Sequence, residues 1–369
     1  MLSKCLSRRD FLTRSAACAA GFVASSTVIE AQNTGSAYRN NTIKIAQVGT
    51  AHAHARGKME SLRKLADYYE VVGIFEPDAE KQKDAMQKEP YKNLHWFESL
   101  DQLLNFKGLK AVVVETYKRE LIPTSMICAK AGMHIHMDKP AGESLSQFKA
   151  LLDEMTRQKL TLQMGYMFRN NPAFQFCFEA VKKGWLGNIF EIHGVISKTI
   201  NDTKRKALAQ YPGGTMFELG CHLIDALVAV MGKPDNVSAF TRKTKPDLDN
   251  LNDNQLAVFE YPKATATIRS ALVEVDGTKR RQFYVCGNKG TVEIKPLEPP
   301  QIMLILDQDQ GKFKKGSQSV DLPEMTGRYD DQLIELAMTI NGQLENKYPP
   351  NHDLAVHEAV LRASGLPID

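Results

Sequence analysis

The sequence predicts an α/β protein in which a doubly wound parallel sheet precedes an α+β domain carrying a large, open, mostly antiparallel sheet. Two observations carry that expectation. Between residues 43 and 165, short apolar runs alternate with helical stretches, which calls for parallel strands joined by right-handed crossovers. Beyond about residue 190 the texture changes to alternating, β-branched or aromatic segments separated by turn residues. At 369 residues the chain has room for two domains. Its 43% hydrophobic and 24% charged content is that of a globular protein.

Taken in order, residues 1–40 read as a twin-arginine signal peptide and linker. Ser7-Arg8-Arg9-Asp10-Phe11-Leu12 precedes an apolar, small-residue stretch over residues 16–28, then a polar linker rich in Asn, Gly and Ser. Export in the folded state, to the periplasm or beyond, is the expectation. Residues 41–163 form the first domain. Strands are expected at 43–48, 71–75, 111–114, 134–137 and 160–165. A helix bearing Met59, Leu62, Leu65 and Ala66 follows the first strand, with others at 79–87, 123–131 and 145–157. Residues 164–350 form a substrate and oligomerisation domain with strands at 189–197, 255–261, 265–273, 282–286 and 291–294. Its helices are expected at 173–183, 214–231 and 331–343, and a C-terminal helix lies within 351–369.

Charge and cysteine usage exclude several classes. The net charge is +4, part of it contributed by Lys4, Arg8, Arg9 and Arg14, so no basic field suggests nucleic acid. No apolar run reaches the roughly 18 residues that span a bilayer, so no membrane partner is expected after signal removal. The six cysteines (5, 18, 128, 177, 221 and 286) contain no C-x-x-C pair and indicate neither zinc nor a disulfide framework.

The first strand-to-helix turn, Val48-Gly49-Thr50-Ala51-His52-Ala53-His54, stands where a Rossmann domain binds a dinucleotide. Gly49, Thr50, Ala51 and His52 are the expected contacts, although Ala51 and His54 replace two fingerprint glycines. Glu76, closing the second strand, can accept the adenosine ribose hydroxyls and repel a 2′-phosphate, which favours NAD over NADP. His52 and His54 lack a third ligand that spacing can place, so no metal is expected, and His54 reads as a neutral packed histidine.

A second constellation lies at the expected cleft. Lys139, in His136-Met137-Asp138-Lys139-Pro140, follows a buried strand at the end where open α/β sheets bind ligands. Glu218 and His222 are four apart, so on a helix they share a face and the carboxylate can orient the imidazole. The other reading of that pair is an ordinary helix-surface contact. Asp138-Lys139-Pro140, the Gly165–Pro172 segment, Gly214…Glu218-x-Gly220-x-His222-x-x-Asp225 and Gly287-Asn288-Lys289-Gly290-Thr291 together resemble the Gfo/Idh/MocA oxidoreductases, the glucose–fructose oxidoreductase and inositol dehydrogenase type. The chain departs from that pattern at Ala51, His54, Asp138, Glu218 and Glu115-Thr116-Tyr117.

The resemblance covers nearly everything after residue 41. It implies hydride transfer between a sugar, glycoside or polyol hydroxyl and a tightly bound nicotinamide. His222 would then be the base, Lys139 the alkoxide-stabilising and cofactor-contacting group, Glu218 the holder of His222, and Thr116 a further cofactor contact. Tyr166 and Arg169 are expected to line the substrate side, with packing or an ion pair as the other reading. Asp225 is expected to brace its helix. A homodimer or homotetramer is expected through the open sheet. The alternatives are an NAD-dependent glycoside hydrolase or lyase working by transient oxidation, and a non-catalytic carbohydrate-binding protein.

Overall fold

The computed structural model describes residues 42–369; the twin-arginine segment and the linker lie outside the described residues. The first sheet is wholly parallel, in the order β2-β1-β3-β4-β5, from β1 (Ile43–Val48), β2 (Tyr69–Phe75), β3 (Ala111–Val114), β4 (His134–Met137) and β5 (Leu162–Met164). The helices between them are α1 (Ala55–Lys64), α2 (Ala79–Met86), α3 (Leu100–Leu104), α4 (Leu121–Lys130) and α5 (Leu145–Arg157). Four residues of β3 are fully buried, and alternate ones serve opposite faces. Val112 and Val114 join the larger core with Phe148 and Leu151 of α5, whereas Ala111 and Val113 meet Leu62 of α1. The strand order reverses between β1 and β3, and the crevice at their C-terminal ends is where such sheets bind ligands.

The second sheet has eight strands in the order β13-β12-β11-β10-β6-β9-β8-β7. They are β6 (Ile189–Ser197), β7 (Asn236–Arg242), β8 (Asn254–Tyr261), β9 (Ala264–Ala271), β10 (Gln282–Gly287), β11 (Gly290–Leu297), β12 (Pro300–Leu306) and β13 (Gly316–Ser319). Every neighbouring pair is antiparallel except β6 and β9, which run parallel over Glu191–Ser197. Helices α6 (Pro172–Lys182), α8 (Cys221–Met231) and α10 (Pro350–Ala363) pack on this sheet, while α7 (Asp202–Ala209) follows β6. Strand β8 shows the expected alternation, with Gln255, Ala257 and Phe259 buried and the residues between them partly exposed.

The structure departs from the sequence expectations in three places. Strands β7, β12 and β13 and helices α3 and α7 were not expected. The segment 214–231 is not one regular helix, because Met216–Gly220 forms a wider π turn ahead of α8. Helix α9 (Asp330–Ile340) does not stay with the second sheet. It lays Leu333, Leu336 and Ala337 against Ile43, Ile45 and Val113, completing the helix layer of the first. No helix of the described residues is long and apolar enough to cross a membrane. Cys128, Cys177, Cys221 and Cys286 are free thiols, the first three buried.

Candidate functional site

The turn after β1 is held by what glycine permits and by two side chains. Gly49 has φ +87°, and a Cβ there would lie 2.8 Å from Thr116 Cγ2 and 2.9 Å from the Thr116 backbone. The turn therefore rests directly on Thr116, at the end of β3. Glu76, at the end of β2, accepts from the Thr50 hydroxyl at 2.7 Å and from the Thr50 amide through one oxygen. Its other oxygen accepts from the Asp78 amide at 3.0 Å. Gly49, Thr50, Ala51, His52, Glu76 and Thr116 thus sit together at the switch point of the sheet. A dinucleotide fits this donor set: the cradle is tight because the glycine is bare, and an anchored acid stands where a ribose would rest.

His54 does not simply pack. Its Nδ1 lies 3.2 and 3.0 Å from the two oxygens of Asp138. His52 Nδ1 lies 3.4 Å from Asp138 Oδ2 and 3.4 Å from Glu115 Oε2. The third acidic or metal-binding partner that spacing alone did not reveal is therefore Asp138, contributed by the segment that also carries Lys139. Burial disfavours charge on both histidines, but the facing Asp138 and Glu115 lift His52 to about 9, whereas His54 falls to about 4. Burial, reinforced by Asp138, raises the Glu115 carboxyl above its usual range.

The second constellation is positioned by the start of the π turn. Gly214 has φ +60°, and a Cβ there would strike the Asn252 carbonyl. The closeness lets the Thr215 amide donate to Asn252 O at 2.9 Å and the Met216 amide to Gln255 Oε1 at 2.7 Å. Lys139 is buried, and its ammonium donates to the Glu218 carbonyl at 2.8 Å. Burial disfavours its charge, yet Glu218 holds its pKa above the ordinary lysine value.

The expected Glu218–His222 pair is not formed. In a π turn, residues four apart no longer stand one above the other. Glu218 instead meets Lys118 Nζ at 3.2 Å. Although burial opposes it, Lys139 and Lys118 bring the Glu218 carboxyl down to about 2. His222 is buried, edge-on to Tyr166 at 6.1 Å between ring centroids and tilted against Phe168 at 5.6 Å, and its Nδ1 has no hydrogen-bond partner. Burial, with the Lys139 charge acting in the same sense, holds this imidazole well below the usual histidine range.

Arg169 is likewise corrected. Its guanidinium is buried and committed to Asp225, at 2.6 and 3.1 Å, and to Asp353 at 2.5 Å, with Tyr348 stacked 4.0 Å away. With Nε and Nη2 so engaged and the residue buried, Arg169 is an interior clamp and Asp225 its principal brace. Tyr166 is buried between His222 and Arg169, lining the base rather than the open side. Sequence reasoning also passed over Lys58, Glu115 and Lys118. Lys58 is fully buried, bonded to His136 Nε2 and to Gln332 Oε1 at 3.2 Å. Its signal was present: Ala55, Lys58, Met59 and Leu62 share one helical face, so a lysine interrupts an otherwise apolar stripe.

A parallel nucleotide-type sheet whose switch point meets a buried lysine and a neutral buried histidine defines an NAD(P)-binding oxidoreductase. Residues 43–166 match a family model described as the oxidoreductase family, NAD-binding Rossmann fold, and residues 174–293 match one for the GFO/IDH/MocA C-terminal domain. The chain belongs to the GFO/IDH/MocA family of oxidoreductases. Among similar proteins, the uncharacterized oxidoreductase YhhX of Escherichia coli is 27% identical over 68% of this chain and 70% of its own. The trans-1,2-dihydrobenzene-1,2-diol dehydrogenase of Mus musculus is 20% identical over 64% of this chain and 70% of its own. Among solved structures, an aldose–aldose oxidoreductase from Caulobacter crescentus superposes with a TM-score of 0.73 at 20% identity, over 88% of this chain and 98% of its own. A UDP-N-acetylglucosamine 3-dehydrogenase from Acidithiobacillus ferrooxidans gives 0.72 at 16% identity, over 88% and 97%. At those identities the likeness is one of fold.

Proposed function

We propose that this protein oxidises, or in reverse forms, a secondary hydroxyl of a sugar, glycoside or polyol, using a tightly held NAD. The observation that carries the proposal is the approach of Lys139 to the turn that presents His222. The ammonium is bonded one turn before a buried imidazole that is kept neutral and leaves Nδ1 unpartnered. A bound nicotinamide dinucleotide supplies the hydride acceptor for such a reaction. His222 accepts the hydroxyl proton as the carbonyl forms, and Lys139 stabilises the negative charge developing on that oxygen. Glu218 fixes Lys139 through its backbone carbonyl and Lys118 through its carboxylate, a positioning role different from that expected of it. Glu76 supports NAD over NADP, because its buried carboxylate would face a 2′-phosphate with like charge. The sugar and aldose chemistry named for the Caulobacter and Acidithiobacillus structures supports the substrate class.

Mass spectrometry of the intact protein should find one dinucleotide per chain, and a screen of glycosides and polyols should then produce reduced nicotinamide absorbance. His222→Ala should retain the dinucleotide and lose about 10²–10⁴ in turnover. Undiminished turnover would remove His222 from the chemistry. The same reading includes twin-arginine export to the periplasm, supported by Ser7-Arg8-Arg9, and a homodimer or homotetramer, supported by the half-exposed Phe190 and Phe240 on the second sheet. Light scattering that returned a monomer would contradict the latter.

A further inference from the structure

We propose that His52, His54 and Asp138, with Glu115 as a fourth donor, form a binding site for a divalent cation of the zinc type that pins the β1–α1 turn to the end of β4. Suitable donor atoms of the two histidines and Asp138 lie within 4.8 Å of one another. The measured separations are 3.4 Å from His52 Nδ1 to Asp138 Oδ2 and 3.0 Å from His54 Nδ1 to the same oxygen. Glu115 Oε2 stands 3.4 Å from His52 Nδ1. Ligands bonded to zinc at about 2.0–2.2 Å in a tetrahedron stand about 3.3–3.6 Å apart. The His52–Asp138 and His54–Asp138 separations are already close to that edge length, and donor atoms up to 4.8 Å apart would draw together by about 1 Å.

The second observation is independent of those spacings. Glu115 and Asp138 are both fully buried, and neither Glu115 oxygen meets a donor with hydrogen-bond geometry. Two buried carboxylates side by side are costly, and His52, the imidazole that faces both, can balance only one of the two charges. The buried lysines do not pair with them: Lys58 is spent on His136 and Gln332, and Lys139 on the Glu218 carbonyl. A divalent cation would neutralise both acids at once. It would replace the hydrogen bonds from His54 Nδ1 to Asp138 and the long 3.3 Å contact from the His54 amide to His52 Nδ1. Two imidazole nitrogens among the ligands select zinc, cobalt or nickel over the all-oxygen preference of magnesium and calcium.

The geometry also gives such an ion a purpose. In a fingerprint loop the third glycine allows close helix–strand packing; here His54 occupies that place, and a metal bridge to Asp138 would set the turn's position instead. Expected absence of a metal rested on the missing third ligand, and Asp138 supplies it.

The test uses full-length protein without a histidine tag, stripped with chelator and titrated with Co²⁺ and Zn²⁺. One equivalent of Co²⁺ should bind with the intense visible bands of a tetrahedral N/O site, and Zn²⁺ should displace it and raise the Tm. Zinc X-ray absorption should show two imidazoles in the shell. His54→Gln and Asp138→Asn should each weaken Co²⁺ binding by more than the roughly 10–100-fold that loss of an outer-shell partner costs. His134→Gln, outside the cluster, should bind as the parent does. Absence of a tight equivalent in the unsubstituted protein, a shell without imidazole, or unaltered binding in both cluster variants would each overturn the site. None of these readouts depends on turnover, so the proposed activity and the metal site stand or fall separately.

Discussion

Burial keeps the His222 ring unprotonated, and the neighbouring Lys139 charge works in the same direction. A base of that kind is ready to accept a proton throughout the neutral range, because its active form is the one that burial favours. The sign follows directly: with the folded pKa displaced below the ordinary 6.5, acidification must go further before the base is lost. The acidic limb of a kcat/KM profile should therefore lie below pH 6.5, with a plateau through neutrality. A limb centred at or above 6.5 would mean that another group, or a solvent-exposed His222, is the base. Legibility at this scale was uneven. Lys139 and His222 were found because short motifs mark them. Glu115, Asp138 and Lys58 were passed over as participants because their partners lie tens of residues away in sequence, and only the crossing of β1, β3 and β4 brings them together.

Two elements carry the site, and each turns on one residue. The turn between β1 and α1 depends on the bare Cα of Gly49. In Gly49→Ala the new methyl would press on Thr116, and the positive φ adds about 1–2 kcal/mol of its own. Dinucleotide affinity should fall at least about tenfold, read by fluorescence or calorimetry; unchanged affinity would show that the turn does not shape the cofactor site. The other element is the joint linking the turn after β5 to α8 and α10, where Arg169 bridges Asp225 and Asp353. Removing one partner of a buried network leaves the others uncompensated, at a cost of about 3–5 kcal/mol. Arg169→Met should thus lower denaturant stability by that amount, and adding Asp225→Asn and Asp353→Asn should recover part of it. A loss within about 0.5 kcal/mol would place these charges in water rather than in the core. Strands β1, β3 and β4 of the parallel sheet were legible as short, largely buried runs, and β2 as an apolar stretch that is only partly buried. Strands β7 and β13 were not, since Asn236–Arg242 and Gly316–Ser319 bury little and lack the apolar alternation that marks a strand. The π turn was hidden for a different reason: Met216, Leu219 and Leu223 fit an ordinary helical stripe, and the extra residue per turn comes from the pinning of Thr215 and Met216 to Asn252 and Gln255.

At the scale of the whole molecule, the two sheets are tied together by the C-terminal helices. Helix α9 covers the first sheet, while α10 lies between α5 of the first layer and α8 of the second. His357 of α10 sits at that junction, fully buried with its ring 5.1 Å from that of Phe148 on α5. Burial pushes its pKa down to about 3 from the ordinary 6.5. Between those two values the unfolded chain holds a proton that the native state refuses, so native stability is intact above pH 6.5 and declines as the pH is lowered toward 3. From 6.5 to 5, this one group should cost about 2 kcal/mol. Other buried histidines add to the same trend, so the parent protein alone cannot isolate it. The difference between parent and His357→Leu can, because leucine fills comparable apolar space and does not titrate. Denaturant unfolding at pH 7 and pH 5 should show the variant losing about 2 kcal/mol less on acidification than the parent. Equal losses would mean that this imidazole is already protonated in the native state, and that the seam between the two sheets admits water at α10.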